Sequence, residues 1–215
     1  MLAVLFVLTL AIIGVVFFVV PPAEGLGYYV RIAFFHIPVA WVSVLAFLVS
    51  AFYGAKYLKE PKRHYDRLSA NSAGMGLVFV ILATLSGAVF SKLTWGAYWN
   101  WDPRQTTIFV LLLIYGAYLT LRAAMPDEKR RARVSAVYAL LSFLTVPFLV
   151  FIIPRLYFSL HPSPVLNAGG HIDMDPVMLW TLLAALADMT GIYYYLLKHY
   201  VAKAEEGKEG EAIHE

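Results

Sequence analysis

Long apolar stretches alternate with short polar segments along this chain of 215 residues. Six stretches stand out, at about 2–20, 34–55, 71–91, 104–121, 134–153 and 176–197. Each is close to the roughly 20 residues that a helix needs to cross a bilayer. The first has neither a charged segment before it nor an A-x-A cleavage site, so we interpret it as a retained span. A cleaved signal peptide is the alternative.

The composition supports a membrane protein. Hydrophobic residues make up 60% of the chain and charged residues 14%, whereas soluble domains have about 45–50% and about 25%. The pattern therefore predicts an all-α, polytopic membrane protein with six transmembrane helices. We expect a single membrane domain over residues 1–200, followed by a charged, solvated tail over residues 201–215.

The basic residues are unevenly divided between the two ends of the predicted helices. Thirteen of the 17 lie in two loops and the C-terminal region: Lys56, Lys59, Lys62, Arg63, Arg67, Arg122, Lys129, Arg130, Arg131, Arg133, Lys198, Lys203 and Lys208. Only Arg31, Lys92, Arg104 and Arg155 lie at the opposite end. The positive-inside rule then predicts that both termini are cytoplasmic and that segments 21–33, 92–103 and 154–175 face outward.

Several kinds of chemistry are excluded by residues that the sequence lacks. Without cysteine, the chain has no disulfide, no thiolate metal ligand and no CxxCH site for covalent haem attachment. It contains no GxxxxGK[ST] phosphate loop, so an ATP-driven step would require another subunit. No general acid–base pair is evident, and whether the protein is an enzyme stays open at this point.

The outward segments contain an unusual cluster of aromatic residues. Three of the five tryptophans, Trp95, Trp99 and Trp101, lie in the stretch WGAYWNWDP. In a helical segment, Trp95, Tyr98 and Trp99 would share one face with Asp102. Such rings are common in the aromatic belts of membrane interfaces. Three tryptophans in seven residues, with a glycine that permits close approach, also suit a platform for a large planar ligand.

Two Asp-Pro pairs mark the starts of helices on the outward side. Asp102 and Asp175 each precede a proline, which predicts an N-capping carboxylate followed by proline at the first helical position. Gln105 has the spacing of a capping box with Asp102. A direct acid role for Asp102 is the alternative to this capping role.

Histidines supply the candidate metal ligands of the outward side. His36 lies in FFHIPVAW, where Pro38 suits the first turn of the second helix, and His161 lies in LYFSLHPSP. Each could be a hydrogen-bonded structural residue. Two histidines far apart in sequence but on one side can also converge as axial ligands of haem iron. His171, in GGHIDMDP, is less suited because its glycine-rich setting does not hold it in place.

The charged residues of the outward side have two interpretations. Arg31, Lys92, Arg104 and Arg155 could extend toward water or pair with nearby carboxylates. They could equally neutralise carboxylates of a ligand, a task that suits the guanidinium group. Asp188, deep in the sixth apolar stretch, is expected to face other helices, and protonation would lower the cost of burying it.

The motif WGxxWxWD, formed by Trp95, Gly96, Trp99, Trp101 and Asp102, resembles the tryptophan-rich WWD signature of haem-handling membrane proteins of cytochrome c biogenesis. With HIP at the start of the second span and LHPSP in the third outward segment, the chain most resembles the cytochrome c maturation protein C (CcmC) family. The resemblance extends over about residues 28–197. Larger relatives carry the motif too, but they have many more spans and a synthase role. Pro103 and Gln105 differ from the commonest form of the motif without altering its cap or its aromatic residues.

The resemblance implies a haem-binding protein at the outer, periplasmic face of the cytoplasmic membrane. Haem b would be ligated by His36 and His161, and the three tryptophans and Asp102 would form the platform beneath it. Arg31, Lys92, Arg104 or Arg155 would meet the propionates. The haem would be delivered to the periplasmic haem chaperone CcmE, with the small subunit CcmD and the CcmA/CcmB ABC transporter as further partners.

Two other functions remain open from the sequence. One is a permease that carries haem through the bilayer, which would require a polar path between the helices. Asp188 is the only clearly intramembrane charge, so such a path is not evident. The other is a membrane anchor or assembly subunit that binds no haem and whose tryptophans form only an interfacial belt.

Overall fold

The computed structural model describes residues 1–162, 172 and 174–213, with side chains described as far as residue 202. In this described part of the chain, seven α-helices follow one another: α1 (Leu2–Phe18), α2 (Ala33–Lys59), α3 (Arg63–Trp95), α4 (Pro103–Ala123), α5 (Glu128–Pro147), α6 (Ile153–Leu156) and α7 (Pro176–Ile213). A 3₁₀ turn, Tyr28–Ile32, leads into α2, and a π-helical turn, Phe148–Ile152, joins α5 to α6. The prediction of an all-helical membrane protein is confirmed.

Among the residues that the structure describes, five helical stretches are long and apolar enough to cross a membrane: Tyr28–Lys59, Arg63–Trp95, Pro103–Ala123, Glu128–Leu156 and Pro176–Ala202. The first predicted span is shorter than these, because α1 has 17 residues. At about 1.5 Å per residue it is about 25 Å long, somewhat less than the hydrocarbon thickness of a bilayer. The orientation predicted from the basic residues remains a prediction, and we call the end predicted to face outward the outer end.

Helix α2 lies at the centre of the bundle and packs against α3, α5 and α7. Helix α1 packs against α7, while α4 packs against α3 and α5. Small residues allow these close approaches. A Cβ on Gly76 of α3 would come within 2.5 Å of the Phe47 ring on α2, so only glycine fits there without displacing that ring. Packing of this kind drives helix association where lipid is as apolar as the side chains.

Asp188 faces another helix, as expected. It is 3% exposed, and its Oδ2 accepts a hydrogen bond of 2.7 Å from Thr9 Oγ1 of α1. Close by, a Cβ on Gly191 would come within 2.9 Å of Leu5. The acid therefore belongs to the α1–α7 interface and lies apart from the outer segments.

The predicted boundaries differ from the structure in two places. Pro38 was expected in the first turn of its helix but is the sixth residue of α2. Helix α2 begins earlier than predicted, at Ala33, because the 3₁₀ turn Tyr28–Ile32 leads directly into it. It therefore lies inside the helix, where proline cannot donate to the carbonyl four residues earlier. At the other end of the chain, α7 continues to Ile213, through residues assigned to the tail. The division into a membrane domain and a tail remains a prediction.

The two ends of α4 are fixed differently. At its outer end Asp102 caps the helix, accepting a 2.9 Å hydrogen bond from the backbone N–H of Arg104. At its other end Arg122 makes a two-pronged ion pair with Asp66 of α3, with both N–O distances 2.7 Å. This pair is mostly buried, and bidentate geometry of this kind is among the stronger ionic contacts in proteins.

Candidate functional site

The two predicted histidine ligands lie next to each other at the outer end of the bundle. His36 is in the first turn of α2, His161 follows α6, and their ring centres are 6.3 Å apart. A metal–imidazole bond is about 2 Å long, and the nitrogen lies about 1 Å from its ring centre. Two imidazoles on opposite sides of one metal would therefore have centres about 6 Å apart. The observed spacing fits a single iron between the rings.

His36 is oriented by α3. Its Nδ1 lies 3.0 Å from Ser86 Oγ. Beneath the ring is Gly87, where a Cβ would come within 3.1 Å of His36 Cε1. The absence of a side chain at Gly87 therefore gives the imidazole the space that it occupies. Ser86 and Gly87 were not among the predicted site residues, and their only signal in the sequence is a small pair, SG, within an apolar span.

His161 is held by the same carboxylate that caps α4. Asp102 Oδ2 accepts hydrogen bonds of 2.8 Å from both Ser159 Oγ and the backbone N–H of Leu160. Ser159 Oγ in turn accepts a bond of 3.1 Å from the His161 backbone N–H. Asp102 is only 4% exposed. One buried carboxylate thus joins the start of α4 to the segment that carries His161.

The surroundings of His161 keep its imidazole neutral. Burial lowers the pKa of His161 to about 4, and the nearby positive charge of Arg104 acts in the same direction. The rings of Phe90 and Trp95 lie 6.3 Å and 6.2 Å from the His161 ring. A neutral imidazole has a free lone pair at neutral pH, which is the form that binds a metal.

The tryptophan-rich stretch is not helical beyond its first residue. Helix α3 ends at Trp95, and Gly96 follows in the left-handed conformation with φ +84°. The expectation that Trp95, Tyr98, Trp99 and Asp102 share a helical face is therefore wrong. Nothing lies within 4 Å of a Cβ built on Gly96, so this glycine is required by the backbone turn and not by close approach.

The three tryptophans form two groups. Trp95 contacts His161, while Trp99 and Trp101 contact each other with ring centres 5.8 Å apart and planes at 88°. Three such rings do not make a single flat surface. Trp101 has φ +56°, which is unfavourable for a residue with a side chain, and the residue is 71% exposed. Backbone strain of this kind is often found where a side chain has a function.

Polar side chains brace the loop that carries the tryptophans. Ser91 Oγ donates to the Ala97 carbonyl at 2.7 Å and accepts a bond of the same length from Asn100 Nδ2. Gln105 Oε1 accepts from the Asn100 backbone N–H at 2.8 Å. The capping box predicted from the Gln105 spacing requires Gln105 to accept from the Asp102 backbone N–H. Instead, Gln105 accepts from the N–H of Asn100, two residues earlier in the chain.

The four outer basic residues differ in their surroundings. Arg104 lies close enough to both histidines and to Arg155 to interact with them electrostatically. Arg155 donates to the Phe151 carbonyl, and Lys92 donates to the Gly96 carbonyl at 2.8 Å. The Arg31 guanidinium lies over the Tyr28 ring, 4.3 Å from its centre. Arg104 thus lies beside the histidines, and Arg155 lies near Arg104.

Among the residues that the structure describes, pairing with a carboxylate does not account for these four basic side chains. Within the described ranges, no ion pair joins any of the four to an acidic side chain. The Nε atoms of Arg31 and Arg104 are buried and lack a hydrogen-bond partner among the residues that the structure describes. Buried donors of this kind are costly unless a partner is supplied, and a ligand carboxylate would supply one. His171 lies outside the described residues.

Comparison with known proteins gives a consistent result. The family model described as heme exporter protein C (CcmC) matches residues 1–209. The heme exporter protein C of Bradyrhizobium diazoefficiens is 31% identical over 181 residues, covering 84% of this chain and 67% of that protein. A putative cytochrome c biosynthesis ccmC-like mitochondrial protein of Marchantia polymorpha is 25% identical, covering 77% of this chain and 71% of that protein.

A more distant group is also similar over part of the chain. The cytochrome c biogenesis protein CcsA of Panax ginseng is 33% identical over 116 residues, which is 53% of this chain but only 35% of that protein. The similarity is therefore to one portion of a longer protein.

Proposed function

The chain belongs to the heme exporter protein C (CcmC) family, and we propose that it binds haem b at the outer end of its helix bundle and delivers it to the haem chaperone CcmE. As a multi-pass membrane protein of this family, it has a role in haem handling for cytochrome c maturation. The finer proposal places it in the cytoplasmic membrane, with the site facing the periplasm.

The observation that carries the proposal is the apposition of His36 and His161, with ring centres 6.3 Å apart. These residues are 125 positions apart in sequence and belong to different elements. At this spacing the two imidazoles would be able to hold one haem iron. In this proposal both histidines supply neutral nitrogen ligands, and the protein contributes position and polarity while haem supplies the chemistry.

The remaining residues of the site would recognise the porphyrin. Trp95, beside His161, would contact the macrocycle, and Trp99 and Trp101 would border it toward the outer surface. Arg104 and Arg155 would bind propionates, because Arg104 lies close to both histidines and has a buried donor without a partner among the described residues, and Arg155 lies near Arg104. Asp102 would act indirectly, through the segment that carries His161.

The exposed aromatic residues suggest where haem would leave. Trp101 is 71% exposed, and Phe158, which precedes Ser159 in the His161 segment, is 86% exposed. Trp101 precedes Asp102 in the chain, and Phe158 precedes Ser159, which donates to Asp102. We propose that this edge of the site faces the chaperone, so that bound haem is accessible to it. CcmD and the CcmA/CcmB transporter are proposed as further partners.

Absorption spectra of the purified protein test the ligand assignment. The wild type, isolated in detergent from haem-replete cells, should give a low-spin spectrum. His36→Ala and His161→Ala should each lose haem or become high-spin, and added imidazole should restore the low-spin form. His199→Ala is a matched control, because His199 stacks on Tyr195 near the opposite end of the membrane-crossing stretch Pro176–Ala202. Unchanged spectra in both site variants would contradict the assignment.

Delivery is tested separately with purified CcmE. The haem-loaded wild type should pass haem to the chaperone, detected as chaperone that carries haem after denaturing electrophoresis, and the two histidine variants should not. Haem uptake into sealed vesicles containing this chain alone would favour a permease instead. Protein that contains no haem after isolation from haem-replete cells would favour an assembly subunit.

A further inference from the structure

The hydroxyl of Ser86 lies between the backbone of α3 and the ring of His36. Ser86 Oγ donates to the Leu82 carbonyl at 2.8 Å and also lies 3.1 Å from the Ala83 carbonyl. On its other side it is 3.0 Å from His36 Nδ1. A serine hydroxyl has one proton and two acceptor lone pairs. With the proton directed to the helix carbonyls, the lone pairs face the histidine.

We infer that Ser86 is a positioning residue, which accepts the Nδ1–H of His36 and thereby leaves Nε2 as the nitrogen that binds iron. The inference rests on the proposed ligation by His36. A neutral imidazole carries one proton, so a hydrogen bond from Nδ1 fixes the tautomer and determines which nitrogen has the free lone pair. Partners that hydrogen-bond the far side of a metal-binding histidine commonly have this effect.

The neighbouring residue limits how the ring can move. A Cβ at Gly87 would be 3.1 Å from His36 Cε1 and 3.6 Å from Nδ1, so the α3 surface lies directly against the ring edge. Rotation of the ring about its Cβ–Cγ bond would remove Nδ1 from Ser86 and replace the hydrogen bond with an apolar contact. Ser86 and Gly87, together with the Ala83 backbone that also faces the His36 ring, therefore favour one orientation of the imidazole.

The hydrogen bond also has an electronic consequence for bound haem. Donation from Nδ1–H increases the electron density of the imidazole and makes Nε2 a more basic ligand. A more basic axial ligand stabilises ferric over ferrous iron, which lowers the reduction potential. Ser86 would thus affect both how firmly haem is held and how easily its iron is reduced.

The test compares Ser86→Ala with Thr84→Ala in haem-loaded protein. Thr84 is on the same helix and donates to the Val80 carbonyl at 2.7 Å, so its removal costs a similar backbone hydrogen bond. We expect Ser86→Ala to raise the midpoint potential and to weaken haem affinity by about 10-fold or more. Thr84→Ala should leave both unchanged. Detergent unfolding curves of the two variants should agree, which separates the effect from a loss of folding.

Two outcomes would overturn the inference in different ways. If Ser86→Ala has the wild-type potential and affinity while His36→Ala loses the low-spin spectrum, then His36 is a ligand and Ser86 does not position it. If His36→Ala keeps the wild-type spectrum, ligation by His36 fails, and the role of Ser86 fails with it.

Discussion

Replacing Asp102 with alanine tests whether one carboxylate supports both α4 and His161. The substitution removes the acceptor for the Arg104 N–H, the Ser159 hydroxyl and the Leu160 N–H, in a side chain that is 4% exposed. An N-cap contributes about 1 kcal/mol, and each hydrogen bond to a charged group about 1.5–3 kcal/mol. Because these contributions are not fully additive, we expect the free energy of unfolding to fall by about 4 kcal/mol.

Asp175→Ala is the matched control for this experiment. Asp175 caps α7 in the same way, accepting from the Val177 N–H at 2.8 Å and from the Met178 N–H at 3.3 Å. It should cost about 1 kcal/mol. Unfolding by SDS in mixed micelles, followed by circular dichroism, measures both. Asp102→Ala should also lower haem retention, and Asp175→Ala should not. Equal losses of stability in the two variants, with equal haem content, would refute the double role of Asp102.

Three further predictions follow from contacts at other positions. Gly87→Ala should displace His36 and reduce haem occupancy in purified protein, whereas Gly74→Ala, with open space around its Cβ, should leave occupancy at the wild-type level. Asp66→Asn should lower the free energy of unfolding, measured by SDS titration, by about 3 kcal/mol, because it disrupts the mostly buried ion pair with Arg122. Arg63→Gln is the control: it removes the more exposed ion pair with Glu128 and should lower the free energy of unfolding by less than about 1 kcal/mol. In haem-free protein, the pKa of His161 is about 4 when folded and about 6.5 when unfolded, so its unfolded form takes up a proton first as pH falls. Its neutral form therefore favours folding above pH 6.5, and this contribution is lost between pH 6.5 and 4, by about 2 kcal/mol at pH 5. The free energy of unfolding of His161→Ala should therefore fall less between pH 7 and 5 than that of the wild type. If the free energies of unfolding of the wild type and the variant changed in parallel with pH, the lowered pKa of His161 would be contradicted.

Much of the fold could be predicted because it depends on local patterns. The apolar stretches correspond to α1–α5 and α7, and the two Asp-Pro caps are confirmed by hydrogen bonds from Arg104 N–H and Val177 N–H. Caps and hydrophobic periodicity involve residues a few positions apart, so a sequence contains them directly. The π-helical turn before α6 was not predicted. It lies where Pro154 cannot donate to the carbonyl four residues earlier.

The site could be predicted only in part, because its geometry depends on distant residues. The sequence indicated His36 and His161 as a pair, and the structure places them side by side. It did not indicate Ser86 or Ser159, whose roles arise from contacts 50 and 57 residues away. Serine is common at membrane helix interfaces, so Ser86 does not stand out until its partner is known. Ser159 lies in the segment after α6, and its contact with Asp102 joins two distant parts of the chain.

The loop between α3 and α4 illustrates the same limit. Its tryptophans and Asp102 were recognised as a motif, yet their arrangement was not, because Gly96 and Trp101 both adopt positive φ. Because α3 ends at Trp95 and the backbone turns at Gly96 and Trp101, the tryptophan rings are separated, whereas a continuous helix would place Trp95 and Trp99 on one face. The hydrogen bonds of Ser91, Asn100 and Gln105 that stabilise this path join positions whose pairing no local pattern specifies.

The central claim is that His36 and His161 bind one haem iron between them, and an anomalous diffraction map of haem-loaded crystals at the iron edge tests it most directly. The account predicts a single iron peak between the two rings, within about 2 Å of Nε2 of His36 and of one ring nitrogen of His161. A peak bound to neither imidazole, or to only one with the other histidine turned away, would contradict it.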